Sequence, residues 1–188
     1  MPWNAQHKEN SRENILASAA LLFTHHGFDA ISIDDVMKHA GLTRGAFYAH
    51  FKSKSDMYDK AVRSGAQLAK ERVMNAGITS ATELAENYLK MGRPEQCNEN
   101  DYCPLAFLVT DIQHQHDNVR NTYTRCLKGY QSVLSSLGLD EKSSIQASVL
   151  LVGGLAIAKA ITDDHLRDAI LNQCLKGVEA LAKTSGAP

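Results

Sequence analysis

The sequence predicts an all-α protein of about nine helices, in which a three-helix N-terminal module with a helix-turn-helix precedes a larger helical domain. Apolar residues recur at helical spacing along most of the 188 residues, and no segment shows the alternation of a half-buried strand. Hydrophobic residues make up 44% of the chain but aromatic residues only 6%, which favours an aliphatic, helix-rich globular protein over a disordered one. The predicted boundary separates residues 1–54 from residues 55–188.

The first predicted helix covers residues 11–26, and Gly27 terminates it. A second helix begins after Ser32, whose hydroxyl can cap the free backbone amides of the first turn. Asp35 stands three residues later and supplies the acid of a capping box. These local signals predict two helices joined by a short loop.

A tight turn follows the second helix, because Gly41 can adopt the left-handed backbone that ends a helix. The third predicted helix covers residues 43–51, with Thr43 as its capping residue. Phe47 and Phe51 lie four residues apart and therefore on one side of this helix. We expect these two rings to anchor the helix to the core of the module.

The opposite side of the third helix carries cationic, hydroxyl and small side chains. A helix anchored by buried aromatics, with such groups outward, suits insertion into the major groove of double-stranded DNA. No acidic residue stands between positions 43 and 54, so a local basic face is expected although the chain has a net charge of −1. The residues predicted to contact DNA are Ser32, Thr43, Arg44, Gly45, Ala46, Tyr48, His50, Lys52 and Lys54.

Six further helices are expected in the second domain. The first of them connects the two domains, and Ser53 can cap it. Pro104 begins the third of them, at a first-turn position where the lack of a backbone N–H is tolerated. The six segments cover residues 53–76, residue 79 to just before Gly92, and residues 104–112, 117–134, 142–162 and 164–182.

Two runs in the N-terminal module support a family resemblance. They read ILASAALLFTHHGF and SIDDVMKHAGLTRGAFYAHFKSKSDMY, and they combine a Gly-Phe pair, an Ala-Gly-Leu turn and the order Phe-Tyr-x-His-Phe-Lys-x-Lys. On these motifs, residues 11–56 resemble the N-terminal DNA-binding domain of TetR-type transcriptional repressors. The resemblance covers about a quarter of the chain. Beyond residue 60, only the helicity and the length match.

The resemblance implies a homodimeric repressor whose third helices enter the two half-sites of a palindromic operator. It also implies a pocket in the C-terminal domain, where a small-molecule effector of unknown identity would bind and cause release. The candidate pocket residues, which describe an ordinary helical core equally well, are Leu84, Tyr88, Leu105, Leu108, Ile112, Tyr123, Leu127 and Tyr130.

The helix predicted over residues 142–162 is apolar or glycine at almost every position from residue 147 onward. Such a helix must be covered on more than one side. It is either buried in its own domain or paired with the last helix across a two-fold dimer interface, which the family resemblance favours. The candidate interface residues are Val149, Val152, Gly153, Gly154, Ala156, Ile157, Ile170, Cys174 and Val178.

Two of the four cysteines, Cys97 and Cys103, bracket a polar loop, where an exposed thiol could be oxidised or alkylated. The loop contributes no cation that would lower a thiol pKa, so two unreactive thiols are the simpler interpretation. The cysteines show no CxxC pairing, and we expect no disulfide framework, no metal site and no cofactor.

Other function classes find little support in the sequence. No serine–histidine–aspartate spacing, glycine-rich phosphate loop or HExxH motif is present, so we expect no enzyme activity. The N-terminus lacks the apolar core of a signal peptide, and residues 145–161 are expected to fall short of a membrane span, so the expected location is cytoplasmic.

Two alternatives stay open at this stage. One is an all-helical enzyme or small-molecule carrier whose helix-turn-helix appearance is accidental, and which would show no salt-dependent binding to DNA. The other is a transcriptional activator or a nucleoid-associated DNA-binding protein that has no effector.

Overall fold

The computed structural model of the chain describes residues 5–96 and 102–185. It confirms the predicted all-α class, and no strand occurs among those residues. Short 3₁₀ turns cover Lys90–Gly92 and Pro94–Gln96. The ten α-helices of this part of the chain are α1 Ala5–Ala30, α2 Ile33–His39, α3 Arg44–Tyr48, α4 Lys54–Asn75, α5 Ala81–Leu89, α6 Pro104–Phe107, α7 Val109–Ile112, α8 Asp117–Ser136, α9 Glu141–Ala160 and α10 Asp164–Ser185.

Two helices of the N-terminal module differ in length from their predictions. Helix α1 begins at Ala5, six residues before the predicted start, and a kink at Gly27 interrupts it near its end. The backbone of Gly27 has φ 80° and ψ 169°, which only glycine adopts without strain, so the predicted break is confirmed. Helix α3 ends at Tyr48, one turn earlier than predicted.

The helix predicted over residues 104–112 is two helices, because the backbone leaves the helical region at Leu108 with φ −104° and ψ 2°. In one straight helix, Leu105 and Leu108 would share a face. Here Leu105 packs against α9, whereas Leu108 enters the core around α1 and α4. The break therefore lets one short segment contribute to two separate cores, and it explains why ten helices form where about nine were expected.

The core of the N-terminal module extends into the second domain. Its centre is formed by aromatic and aliphatic side chains of α1 to α4, among them Phe23, Phe47 and Tyr58. Leu108 and Val119, from α6–α8, are buried in the same cluster. The first half of α4 also packs there, so this helix joins the two parts of the fold.

A second core lies among α5, α8, α9 and α10. Helices α9 and α10 approach so closely that a Cβ atom at Gly154 would overlap Cys174 of α10. By length and composition alone α9 could cross a membrane, contrary to the expectation from sequence. Half of its most apolar window is buried against the rest of the protein, as in the core helix of a globular domain, so this is weak evidence for a membrane span.

Candidate nucleic-acid interface and interior cavity

The start of α2 is held by the capping box that the sequence predicts. The Ser32 Oγ accepts a hydrogen bond from the Asp35 backbone N–H at 3.1 Å, and the Asp35 carboxylate accepts one from the Ser32 N–H at 2.8 Å. The side-chain and backbone hydrogen bonds from Ser32 lower the pKa of Asp35. After α2, Gly41 adopts φ 68°, and the Leu42 N–H donates to the Met37 carbonyl at 2.9 Å. These local bonds fix the angle between α2 and α3.

Helix α3 begins after Thr43, which has the extended backbone of an N-cap residue. The Thr43 hydroxyl makes no capping hydrogen bond, so the prediction that this side chain caps the helix is wrong. The hydroxyl lies on the exposed surface instead, at the start of α3. Helix α3 has only five residues and begins without a side-chain cap.

The two sides of α3 have the predicted polarity. Phe47 and Phe51 are buried, whereas Arg44, Gly45 and Tyr48 are exposed. The Tyr48 ring is 63% exposed and packs edge-on against Phe47, with 5.1 Å between the ring centroids. A large aromatic ring is thus held in a fixed position on the surface, with its hydroxyl beside the Arg44 guanidinium.

Arg44 has an acidic neighbour that the sequence did not indicate. Its guanidinium contacts the Asp34 carboxylate of α2 at 2.6 Å, and both side chains are exposed. The Tyr48 hydroxyl and then this carboxylate raise the pKa of Arg44. The expectation of a basic face free of acids is therefore wrong here, because the turn brings a residue ten positions away against α3.

Three predicted DNA contacts are not fully exposed. Ala46 is half-buried against the core of the module. His50 is also half-buried, and its Nε2 atom has no hydrogen-bond partner among the described residues. Burial lowers the pKa of its imidazole, and the positive charges of Lys8 and Arg12 of α1 lower it further. The Lys54 ammonium lies 4.3 Å above the centroid of the Phe28 ring. Ser32 and Lys52 are exposed as predicted sites require.

A carboxylate that sequence reasoning missed links the two parts of the fold. Asp111 of α7 accepts hydrogen bonds at one oxygen from the Tyr58 hydroxyl of α4, at 2.6 Å, and from the Phe28 N–H, at 3.0 Å. Phe28 follows the kink at Gly27, so Asp111 holds the end of α1 against α4. Burial and this carboxylate raise the pKa of Tyr58 well above its ordinary value. We call this arrangement the Asp111 junction.

A cavity of about 660 Å³, partly open to solvent, lies between α4, α5, the start of α6 and α8. Four of the eight predicted pocket residues line it: Leu84, Tyr88, Leu105 and Tyr130. The other four do not: Leu108 and Ile112 are buried in the N-terminal core, and Tyr123 and Leu127 pack against neighbouring apolar clusters. The break at Leu108 turns Leu108 and Ile112 away from the cavity, whereas Tyr123 and Leu127 belong to other turns of α8.

Cys103 also lines this cavity. The Tyr88 hydroxyl donates a hydrogen bond to its Sγ at 3.1 Å, and burial raises the pKa of the thiol. A buried thiol with a raised pKa is a poor nucleophile, which argues against Cys103 as a redox candidate and favours the simpler interpretation of an unreactive thiol. Cys97 lies outside the described residues. Within the described ranges, no three histidine, cysteine or acidic side chains converge as metal ligands.

The predicted dimer-interface residues fall into three groups. Val149 and Ile157 are 66% and 52% exposed on one face of α9. Gly153, Ala156 and Ile170 are half-buried beside them. Four others are buried inside the subunit and cannot form the outer face that the sequence suggested: Val152, Gly154, Cys174 and Val178.

The exposed part of these helices is nonetheless apolar. Ile145, Val149, Gly153 and Ile157 follow at four-residue spacing along α9, and Leu166 is exposed on α10. We call this surface the α9–α10 face. The buried residues above support it from inside, because the spacing of α9 and α10 depends on the contact between Gly154 and Cys174.

Comparison with known proteins agrees with this geometry. Residues 15–61, which contain α2, α3 and part of α1 and α4, match the family model described as bacterial regulatory proteins, tetR family. The chain is 42% identical over 55 residues to the HTH-type transcriptional regulator AcrR of Shigella flexneri, covering 29% of this chain and 26% of that protein. It is 31% identical over 52 residues, 28% of each chain, to IcaR of Staphylococcus aureus, a negative regulator of a biofilm operon. These similarities span about a quarter of each relative's length.

Solved structures extend the similarity to the whole fold. A TetR-family regulator from Cytophaga hutchinsonii superposes with a TM-score of 0.76 at 17% identity, covering 95% of this chain and 98% of that one. The reduced form of Escherichia coli NemR gives a TM-score of 0.75 at 16% identity, covering 92% and 96%. At such low identities, the comparison shows a shared fold and nothing about function. The curated relatives are transcriptional regulators and not enzymes.

Proposed function

We propose that this chain, a member of the TetR family of bacterial regulatory proteins, is a homodimeric repressor that a small molecule releases from a palindromic operator. The observation that carries the proposal is the exposed Tyr48 beside Arg44 on α3. Two buried phenylalanines hold that helix from beneath, in the segment that matches the family model. A protein that acts on bacterial chromosomal DNA works in the cytoplasm.

The exposed residues of α2 and α3 divide into two kinds of DNA contact. Arg44 can reach base edges or phosphates, because it stands in the first turn of α3, and binding would exchange its pairing with Asp34 for a contact with DNA. The hydroxyls of Thr43 and Tyr48 suit backbone phosphates, as does the exposed Lys52. The Ser32 hydroxyl donates to the Asp35 carboxylate at 2.6 Å and would have to exchange that bond for a phosphate. His50 and Lys54 would need a change of side-chain position before they contact DNA.

The α9–α10 face suits a two-fold contact with a second copy of the chain. Val149 and Ile157 would be buried against their counterparts, and the half-buried Gly153 between them leaves space for a close approach. The resulting four-helix contact would hold two copies of α3 at a fixed separation. Adjacent major grooves on one side of B-DNA lie roughly 34–36 Å apart, so this separation sets operator recognition.

The cavity and the DNA-contacting module share helix α4. Its first half packs in the N-terminal core, and its second half forms one wall of the cavity. Pro104 at the start of α6 packs against Gly65 of α4, and the short segment after it leads to the Asp111 junction. A ligand that favours a different position of α6 relative to α4 would therefore rotate the module through this junction.

A selection experiment tests the proposed function. Purified protein would be incubated with fragments of its own genome, and we expect enrichment of a palindromic sequence with half-sites about one helical turn apart. Tyr48→Ala and Arg44→Ala should weaken binding to that sequence at fixed salt, whereas the control Lys142→Ala, on the surface of α9, should not. Enrichment of no sequence, or equal binding by all four proteins, would contradict the proposal.

A further inference from the structure

The charged side chains that line the cavity are all of one sign. Of the described residues that line it, five are cationic and none is acidic: Arg63, Lys70, Arg72, Lys90 and Arg125. The chain as a whole has a formal net charge of −1, so a wall with five positive and no negative side chains departs from its average composition. All five residues are exposed, so this positive charge lies where the cavity opens to solvent, and it attracts an anion there.

Two of these cations line the cavity from neighbouring helices, Arg63 from α4 and Arg125 from α8, and Cys126 lines it beside Arg125. Burial raises the pKa of the Cys126 thiol, and the positive charges of Arg125 and Arg63 oppose that effect. Neither guanidinium makes an ion pair with a carboxylate of the described residues. Arg125 donates one hydrogen bond, to the Thr122 hydroxyl, which leaves most of its donors available.

One carboxylate lies near this pair without lining the cavity. Asp59 stands one turn before Arg63 on α4 and acts on Cys126 in the opposite direction. One of its oxygens is buried and has no hydrogen-bond partner among the described residues. The two guanidiniums therefore outnumber the acid, and the local excess of positive charge remains.

A second polar group on the cavity wall lacks a partner. The Tyr130 hydroxyl is buried and makes no hydrogen bond with any described residue. Its ring lines the cavity beside Tyr88, with 5.7 Å between the ring centroids. A buried phenol without a partner is unfavourable, and a ligand oxygen inside the cavity would satisfy it.

The rest of the wall is mainly apolar. Leu84, Val73, Met91 and Leu105 line it together with the two tyrosine rings. The cavity volume of about 660 Å³ lies within the range of roughly 300–1,000 Å³ that small-molecule sites occupy. A ligand of this site must therefore combine a hydrocarbon body with an anionic group.

We infer that the cavity binds a small organic carboxylate whose apolar body lies against Tyr88 and Tyr130 and whose carboxylate contacts Arg63 and Arg125. A guanidinium presents paired N–H donors that match the two oxygens of a carboxylate. The Tyr130 hydroxyl donates to a further oxygen of the ligand. This inference rests on the proposed function only for the consequence of binding, not for binding itself.

Matched acid and amide probes test the inference by calorimetry on the full chain. The pairs are octanoate with octanamide, 4-phenylbutanoate with 4-phenylbutanamide, and 2-naphthoate with 2-naphthamide. The members of each pair share one apolar body and differ in charge. We expect at least one acid to bind roughly 10- to 100-fold more tightly than its amide, as hydrogen bonds to charged groups imply.

Variants locate the source of that preference. The double variant Arg63→Gln with Arg125→Gln should bring acid and amide within about threefold of each other, while the control Lys128→Gln, on the exposed side of α8, should keep the full difference. Tyr130→Phe should weaken both members of a pair. A panel in which no acid exceeds its amide overturns the inference, as does a double variant that keeps the preference.

Operator binding by the same preparations separates the two proposals. If an acid binds the cavity but leaves DNA affinity unchanged, the ligand class stands and release by ligand fails. If the protein binds its operator but no acid exceeds its amide, the DNA-binding function stands and the ligand class fails.

Discussion

The Asp111 junction provides the sharpest test of how the two parts of the fold are connected. Asp111→Ala removes the acceptor of two hydrogen bonds, one from the buried Tyr58 hydroxyl and one from the Phe28 N–H. Tyr58→Phe removes only the first donor and keeps the ring, which packs edge-on against Phe23 at 5.0 Å and Phe28 at 4.9 Å. The two substitutions therefore differ in the number of groups left without a partner.

Hydrogen bonds to charged groups contribute about 1.5–3 kcal/mol each, and an orphaned buried donor costs about 1–3 kcal/mol. Because Asp111 is only half-buried, we take the lower part of these ranges. Tyr58→Phe should then lower the free energy of unfolding by about 1–2 kcal/mol and Asp111→Ala by about 2–4 kcal/mol. The double variant should lose less than the sum of the two, by about 1–2 kcal/mol, since one bond is shared.

Urea unfolding of the wild type and the three variants measures these differences. Asp117→Ala is the matched control, because the exposed Asp117 pairs with Arg120 on the surface of α8 and its loss should change stability little. If the two junction substitutions are additive within about 0.5 kcal/mol, the hydrogen bond between Asp111 and Tyr58 contributes no coupling. That result would refute the role of Asp111 in joining α7 to α4.

Further outcomes are expected at three sites described above: Val149, the pair of Arg44 and Asp34, and Cys103. Val149→Asp should raise the dissociation constant of the dimer on the order of 100-fold in analytical ultracentrifugation, since it places an unpaired charge in an apolar contact; a dimer of wild-type affinity would exclude the α9–α10 face. Asp34→Asn should tighten non-specific DNA binding by freeing Arg44, whereas Arg44→Ala should weaken operator binding by about 1–3 kcal/mol in gel-shift titrations. Cys103→Ser should keep both operator binding and release by ligand, and the wild-type thiol should react slowly with iodoacetamide near neutral pH, since burial raises its pKa. A serine variant that stays bound to DNA after exposure to an electrophile would reverse this interpretation.

Local signals explain why the N-terminal module was predictable from sequence. The capping box at Ser32 depends on residues three apart, and the kink at Gly27 depends on one backbone conformation. The errors arose where a distant part of the chain decides the outcome. Asp34 meets Arg44 only because the turn folds α3 back on α2, and no spacing rule signals a pair ten residues apart.

The second domain was harder to predict for a related reason. Helix α9 is apolar on nearly every side, so its pattern could not separate the buried Val152 from the exposed Val149. The break at Leu108 likewise had no glycine or proline to mark it, and it accounts for two of the four expected pocket residues that do not line the cavity, Leu108 and Ile112. Asp111 escaped notice because a single acid in a short segment predicts no contact by itself.

The core shared across the predicted domain boundary limits how freely the DNA-contacting module can be exchanged between proteins. Leu108, Ile112 and Val119 belong to the same cluster as Phe23 and Phe47, although they lie beyond the predicted boundary at residue 54. A graft of residues 1–54 onto a foreign helical domain would expose that apolar surface unless the host supplied side chains of similar volume. Engineering of chimeric regulators from this chain therefore has to transplant the segment around α7 together with the module.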